Sequence, residues 1–304
     1  MRAPRLRFVP ALAMAWILLL SACAAIVKVT DAMNELGLVE DDVKQVVDLG
    51  AQIRNSFLDL TEEEEYYIGR AVAALILSKY PVYENAALTR YVNLVGNAVA
   101  AYSDRPEIYA GYHFLVLDSD EVNALSAPSG FIFVTKGLLL RCQDEEMLGS
   151  ILAHEIGHVT AKHGLKAIKK SRLTDAFTKL GIMAAKEYGS EDLVELTTIF
   201  EDVLTDIIEQ LVERGYSRSA EYEADGLGAA FGARTGFDPG GMIRFLETMI
   251  GDTSAVSGKG WFKTHPTPEQ RIEGLTKQLA GYGAVPGTDL GRTARFQQAI
   301  RLVK

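Results

Sequence analysis

The stretch LGSILAHEIGHVTAKHG, residues 148–164, carries three of the five histidines of the 304-residue chain. His154 and His158 are four residues apart. Because each residue of an α-helix advances by about 100° around the axis, both imidazoles lie on one helix face, one turn apart. Both can reach one metal ion, and Glu155 flanks the same face, where it can act on a metal-bound water without being a ligand. The pattern therefore predicts half of a metal site. An amphipathic helix that happens to be rich in histidine is the alternative.

The other ligand must come from elsewhere in the chain, because a catalytic zinc ion normally takes three protein ligands. His163 is a poor candidate. It follows His158 by five residues, so on a continuous helix it points away from the ligand face. Its position is typical of a histidine at the end of a helix, where the ring interacts favourably with the C-terminal dipole.

A second motif, SRSAEYEADGLGAA at residues 217–230, supplies the candidate. Glu221 and Asp225 share one helix face, whereas Glu223 lies about 200° away from Glu221. We therefore predict that Glu221 is the third ligand and that Asp225 accepts the free N–H of a ligand histidine, which fixes its tautomer. Glu223 becomes a solvated charge, and Ser219 the N-cap. The alternative is that these acidic residues only interact favourably with the dipole at the start of the helix. The small residues that follow them instead favour close packing on another helix.

The N-terminus has the features of a secretory signal: three arginines, the apolar run FVPALAMAWILLL and then SAC. LSAC at residues 20–23 resembles the lipobox of bacterial lipoproteins, in which Cys23 would be acylated and become the mature N-terminus. Ala24 follows, and the absence of Asp there favours the outer membrane in that pattern. A plain signal peptide cut near Ala22 or Ala25 is the alternative.

The charge and cysteine content exclude a nucleic-acid-binding protein and an internal disulfide. The first 22 residues carry three of the 31 basic residues and none of the 40 acids, so the mature chain would have 28 basic against 40 acidic residues, a net charge of −12. Such a chain has no electrostatic footprint for nucleic acid. With Cys23 acylated only Cys142 would remain, which excludes an internal disulfide. No other apolar run approaches the roughly 20 residues of a membrane span.

Hydrophobic periodicity predicts a mostly helical fold with a small sheet. Thr61 and Glu64 form a capping box for a helix that Pro81 ends, and a second helix is predicted at 84–102. The period then changes, and short β-branched and aromatic runs predict two strands separated by the turn chemistry of SDEVNALSAPS. Downstream of the predicted cap Asp144 the chain is helical again.

Taken together, these motifs resemble the zinc endopeptidase family of HtpX, the CAAX prenyl protease, Oma and the periplasmic BepA/YfgC-like and LoiP-like lipoprotein peptidases. The resemblance rests on His–Glu–x–x–His followed by Glu–x–x–Ala–Asp, and it runs from about Glu62 to Leu279. Three further segments carry it: NALSAPSGFIFVTKGLL, DEEMLGSILAHEIGHV and THPTPEQRI. The chain departs from the family's Pro–Gly–Gly at Ser129, which affects loop geometry and no ligand.

The resemblance implies an α+β, predominantly helical zincin of the gluzincin type, with the sheet beside the HExxH helix. It implies one Zn²⁺ per chain, held by the two motif histidines and Glu221, and it makes Glu155 the base that takes a proton from water. His265 and Arg271 become candidates to supply or organise a donor to the oxyanion. A His–Pro turn and a surface arginine are the alternative.

Strand 131–135, with Asn123 nearby, is expected to offer an edge to which an extended substrate adds, with Phe131 and Phe133 as substrate-binding residues. Such pairing tolerates many side chains and suits unfolded or misassembled polypeptides. The predicted function is a lipid-anchored peptidase of protein quality control on the periplasmic face of the outer membrane, with envelope assembly machinery as a partner. A chaperone-like or scaffold lipoprotein that keeps a structural zinc site is the alternative.

The domain organisation predicted from these patterns is a signal peptide (1–22), a tether with N-terminal helices (23–60), a peptidase domain (61–280) and a C-terminal tail (281–304). A helical insert at 165–213 lies within the peptidase domain. Its amphipathic pattern fits a hairpin that packs on the core, and a partner surface is the alternative.

Overall fold

The computed structural model describes residues 61–167, 208–251, 261–282 and 289–303. The predicted signal segment with Cys23, the N-terminal helices and most of the insert predicted at 165–213 lie outside the described residues.

Helices dominate the described part of the chain. In chain order they are α1 (Glu62–Lys79), α2 (Ala86–Ala100), α3 (Lys136–Arg141), α4 (Glu145–Thr160), α5 (His163–Ala167), α6 (Arg218–Thr235), α7 (Gly241–Glu247), α8 (Trp261–Thr264), α9 (Pro268–Leu279) and α10 (Leu290–Ile300). A π-helical turn spans Glu209–Arg214, and three strands, β1 (His113–Leu117), β2 (Ala124–Ala127) and β3 (Phe131–Thr135), form one sheet. This confirms the predicted α+β, mainly helical fold. Among the described helices, none has the length and apolar character needed to cross a membrane.

Side-chain caps fix where the helices that carry the motifs begin. The carboxylate of Asp144 accepts from the amide of Met147 at 2.8 Å, so the predicted cap of the histidine helix α4 is confirmed. The predicted cap of α6 is wrong by two residues, since Ser217 accepts from the amide of Ala220 at 3.2 Å. Ser219 lies inside the first turn, because the helix already begins at Arg218.

The sheet corrects the predicted substrate edge. Its order is β1–β3–β2, with β3 parallel to β1 and antiparallel to β2, so both sides of β3 are already paired. The argument that made Phe131 and Phe133 substrate-binding residues is therefore wrong, and Phe133 is only 1% exposed. Strand β2 was not predicted, because it lies inside SDEVNALSAPS, whose residue types predict a turn. Its sequence ALSA lacks the β-branched and aromatic residues that mark a strand, yet all four residues are buried.

The core surrounds α4. Every residue of this helix from Glu145 to Val159 is buried, and the helix packs against α6, α2, α7 and β2. A helix buried on all sides presents polar residues to other protein elements rather than to water. The histidines of α4 must therefore find their partners inside the protein.

The C-terminal tail, which the sequence left without a role, contributes helix α10. Phe296 and Ala299 are buried, and α10 packs on α2 and α4. Arg295 binds the buried carboxylate of Glu145 through two contacts of 2.5 and 2.9 Å, and the hydroxyl of Tyr91 donates to the same carboxylate at 2.8 Å. The tail thus neutralises an acidic residue in the first turn of the histidine helix.

We expect Arg295→Ala to destabilise the fold, because Glu145 is 1% exposed and would lose its cation. Arg295 itself is 46% exposed, so solvent screening reduces the loss to about 1–2 kcal/mol. Thermal unfolding should show a decrease of a few degrees, with Arg301→Ala, an exposed arginine just beyond the same helix, as the control. Equal melting temperatures for the two variants would contradict this role of the tail.

Candidate metal centre

Small residues let α4 and α6 approach closely, as the run ADGLGAA predicted. A Cβ added at Gly228 would lie 2.9 Å from the backbone nitrogen of His154, and one added at Gly157 would lie 3.0 Å from the carbonyl oxygen of Ala224. The two backbones are therefore almost in contact. This approach brings Glu221, in the first turn of α6, to the histidine face of α4.

Gly228→Ala is expected to push the two helices apart and to weaken metal binding. Its new methyl group meets backbone atoms, which cannot move aside, so we expect a net loss of about 1–3 kcal/mol. Gly226→Ala is the matched control on the same helix, because its methyl group meets only the flexible end of Gln278. That variant should be as stable as the wild type or about 0.5–1 kcal/mol more stable. Chemical denaturation and zinc titration of both variants would check this, and identical behaviour of the two would refute it.

Four side chains converge at the contact of these helices. The Nε2 atoms of His154 and His158 are 3.0 Å apart. The carboxylate of Glu221 lies 3.6 Å from the first of them and 3.5 Å from the second. His265 joins them, with its Nε2 atom 3.7 Å from Glu221. One potential ligand atom from each residue lies within 4.8 Å of all the others.

The chemistry of this cluster fits a metal cation. Glu221 is fully buried, and among the described residues neither of its oxygens has a hydrogen-bond partner. Burial raises its pKa well above the ordinary value, and an unpaired carboxylate in such a place is costly. Burial also lowers the pKa of His154 to about 4 and that of His158 well below 6.5, so both rings are neutral near pH 7 and can offer a lone pair. Two imidazoles and one carboxylate are a common donor set of catalytic zinc.

Asp225 lies behind His154, on the side away from the cluster. Its Oδ1 is 3.0 Å from Nδ1 of His154, the contact expected of a carboxylate that orients a ligand histidine. Arg271 holds this carboxylate through contacts of 2.5 and 3.0 Å. Burial alone would raise the pKa of Asp225, but Arg271 and His154 together hold it below the ordinary value.

Arg271 lies in the interior of the protein, beside His154 and Asp225. The side chain is fully buried, so it is not a surface arginine, and its guanidinium lies 5.1 Å from the centre of the Trp261 ring. Its Nη2 atom is 3.2 Å from Nδ1 of His154, on the same outer side as Asp225. Arg271 therefore lies behind His154, where it holds Asp225, and its role as a residue that supplies or organises a donor to an oxyanion stays a prediction.

His265 completes the cluster from the opposite wall. Its ring stacks on Trp261 with centroids 4.0 Å apart and an interplanar angle of 9°. Its Nδ1 atom lies 3.2 Å from the carbonyl oxygen of Trp261 and 2.9 Å from the hydroxyl of Thr264. A proton on Nδ1, donated to that carbonyl, leaves Nε2 free to bind a metal. Catalytic zinc sites keep a fourth position for water. A metal ion bound by all four of these side chains would have no such position.

Glu155 lies beside the cluster and lines a small cavity together with His265. It is 2% exposed, one carboxylate oxygen has no hydrogen-bond partner among the described residues, and burial raises its pKa to about 7. A small cavity lined by Ser126, Leu211, Tyr216, His265 and Glu155 adjoins it. The space is on the order of one water molecule, so a peptide can enter only after the wall moves.

His163 and Glu223, which have no predicted role in the metal site, are connected to it through His158. The continuous helix assumed for His163 ends at Thr160, and Lys162, with φ of 56°, turns the chain back. The Nδ1 atom of His163 consequently lies 2.9 Å from Nδ1 of His158, and its Nε2 atom lies 3.2 Å from Glu223. The expectation that His163 points away is wrong, and Glu223, although 54% exposed, is more than a solvated charge.

Tyr216 was not predicted at all. Its ring stacks on that of His158 at 4.3 Å, with an interplanar angle of 21°. The only sequence signal was its place just before the SRSAEYEAD motif. Asn123 is 2% exposed and precedes β2, and its assignment as a substrate-binding residue stays a prediction.

The sequence is similar to those of known peptidases. The sequence profile of peptidase family M48 matches residues 86–279. A putative beta-barrel assembly-enhancing protease of Vibrio cholerae is 26% identical over 81% of this chain and 49% of its own length. The beta-barrel assembly-enhancing protease of Escherichia coli is 26% identical over 76% of this chain and 46% of its own length. The mitochondrial metalloendopeptidase OMA1 of Bos taurus is 28% identical over 54% of this chain and 32% of its own length. The chain spans about half the length of the two assembly-enhancing proteases.

Proposed function

The chain belongs to peptidase family M48, and from this premise we propose that it is a zinc-dependent endopeptidase that cleaves unfolded or misassembled envelope proteins. The observation that carries the proposal is the fully buried Glu221 carboxylate, which lacks hydrogen-bond partners among the described residues and faces two neutral imidazoles at 3.5–3.6 Å.

In this proposal His154 and His158 bind one zinc ion through Nε2, and Glu221 binds it through its carboxylate. The ion would lower the pKa of a water molecule toward about 7 and polarise the scissile carbonyl. Asp225 accepts the Nδ1 proton of His154, which keeps that ring in the tautomer with a free Nε2 lone pair.

Glu155 is the proposed general base. Its carboxylate takes a proton from the attacking water and delivers it to the leaving nitrogen. In the metal-free site burial raises its pKa to about 7, and a cation bound beside it would favour the charged carboxylate that accepts the proton. Since His265 fills the fourth position of the cluster, we infer that it must leave that position before a substrate binds.

The proposed substrate class follows from β2. Among the described strands β2 has one unpaired edge, whereas β3 has none, and Ala124, Leu125 and Ser126 line the small cavity together with Glu155. An extended polypeptide that pairs with this edge would lie beside the general base, and main-chain pairing accepts many side chains. The names of the two assembly-enhancing relatives support envelope proteins as substrates and assembly machinery as a partner.

The direct test measures zinc content and cleavage together. Purified protein should contain about one zinc per chain and cleave an unfolded protein, and a chelator should abolish cleavage until zinc is restored. Zinc-loaded protein in which His265 is changed to Ala should cleave at least as fast as the wild type if this side chain blocks the site. Protein that binds zinc and cleaves no unfolded chain in either form would refute the proposal.

We further propose that the protein is anchored by a lipid on Cys23, at the periplasmic face of the outer membrane. Cys23→Ser should release it from the membrane fraction, because the thiol that would carry the lipid is lost. Cell fractionation with metabolic fatty-acid labelling checks this, and Cys142→Ser is the control, since Cys142 is buried in the fold. Labelled, membrane-bound Cys23→Ser protein would exclude this anchor.

A further inference from the structure

We propose that His163 and Glu223 position the ligand histidine His158 through a two-step hydrogen-bond relay. The inference rests on the proposed zinc site and adds two residues to it. Both are positioning residues, since neither offers an atom to the four-residue cluster.

The relay is defined by two contacts. Nδ1 of His158 lies 2.9 Å from Nδ1 of His163, and Nε2 of His163 lies 3.2 Å from a carboxylate oxygen of Glu223. His163 is 4% exposed, and each of its ring nitrogens has a partner within the protein. A histidine that merely filled space would need neither contact.

Only one arrangement of protons along the relay suits a metal ligand. If Nε2 of His158 offers its lone pair to the metal, its Nδ1 carries the proton and donates to Nδ1 of His163. His163 then has its own proton on Nε2 and donates it to Glu223. The acidic end of the relay thereby selects the tautomer of His158, as Asp225 does directly for His154.

The two supports differ in strength. Asp225 is buried and held by Arg271, whereas the side chain of Glu223 is 54% exposed. Water can replace Glu223 in part, but it cannot easily replace the buried ring of His163. We therefore expect the loss of His163 to weaken zinc binding more than the loss of Glu223.

The test compares the zinc affinities of full-length variants by chelator competition. Outer partners of metal ligands are typically worth about 10–100-fold in affinity, and we expect a loss of that size for His163→Leu. His163→Asn should recover most of it, because an amide oxygen can accept a proton near the position of Nδ1. Glu223→Ala should lose several-fold, while Glu247→Ala, an exposed acid on α7, should match the wild type.

Two further measurements separate positioning from packing. The absorption spectrum of the cobalt-substituted protein reports ligand geometry and should change in His163→Leu but not in His163→Asn. Thermal unfolding of the metal-free variants reports packing. Wild-type affinity in His163→Leu would overturn the inference and leave the zinc site intact. Equal losses in Leu and Asn variants, together with equally lowered stability, would assign His163 to packing alone. A wild-type protein that binds no zinc would overturn the relay and the proposed function together.

Discussion

Replacing Glu155 by Gln is expected to lower kcat/KM for peptide cleavage by about 10²–10⁴-fold while zinc stays bound. The amide cannot accept the proton of the attacking water, but it occupies the same volume in the buried site. Glu155 is not one of the four clustered ligand residues, so zinc content should stay near that of the wild type. Measurement of kcat/KM on an unfolded protein, with zinc content on the same samples, checks both parts.

Stability provides a second readout for this variant. The folded-state pKa of Glu155 is about 7, above its ordinary value of 4.5, so the metal-free folded state binds this proton more tightly than the unfolded state. Its contribution to stability is therefore full below about pH 4.5 and is lost as the pH rises through 7. Glu155→Gln removes this dependence, and the variant should be no less stable than the wild type at pH 8.

The matched control is Glu269→Gln, which changes an exposed acid on α9. It should cleave like the wild type. Cleavage by Glu155→Gln within a few-fold of that of Glu269→Gln would assign the proton transfer to another residue. If instead cleavage is abolished but the cellular phenotype persists, the chaperone-like or scaffold role is the one that matters.

Helical periodicity was sufficient to place three of the four clustered residues on two helix faces. Spacings of four residues put His154 and His158 on one face and Glu221 and Asp225 on another, and the structure brings these two faces together. Glu221 follows His158 by 63 positions in the chain. Their contact was nevertheless foreseeable, because small residues such as Gly228 allow two helices to approach closely.

Features that depend on a single backbone break or on strand pairing could not be predicted in this way. One left-handed residue, Lys162, reverses the chain and brings His163 back to His158, and no periodicity signals such a residue in advance. The strand 131–135 was recognised, but the alternation of its residues does not say which strands pair with it. The pairing of Arg271 with Asp225 was not predicted, because the two residues lie 46 positions apart in the chain.

The pair formed by Asp225 and Arg271 carries the second large expected effect. Both side chains are at most 2% exposed, and each is the main charge partner of the other. Removing one member leaves an uncompensated buried charge, so Asp225→Leu and Arg271→Met should each cost about 3–5 kcal/mol of folding free energy. The Asp225→Leu/Arg271→Met double variant removes both charges of this pair, so neither is left without the other. It should therefore regain most of that stability, and a double-mutant cycle measured by chemical denaturation gives the coupling.

Zinc affinity should not recover with stability. His154 loses the acceptor for its Nδ1 proton in every variant that lacks Asp225, so the double variant should remain about 10–100-fold weaker than the wild type. Asp225 also has a folded-state pKa below its ordinary 3.8, so its contribution to metal-free stability is present above that value and is lost as the pH falls further. The double variant should lack this acid-dependent loss. Recovery of both stability and zinc affinity in the double variant would show that the pair serves packing alone. If neither recovers, the buried charges do not act as a pair.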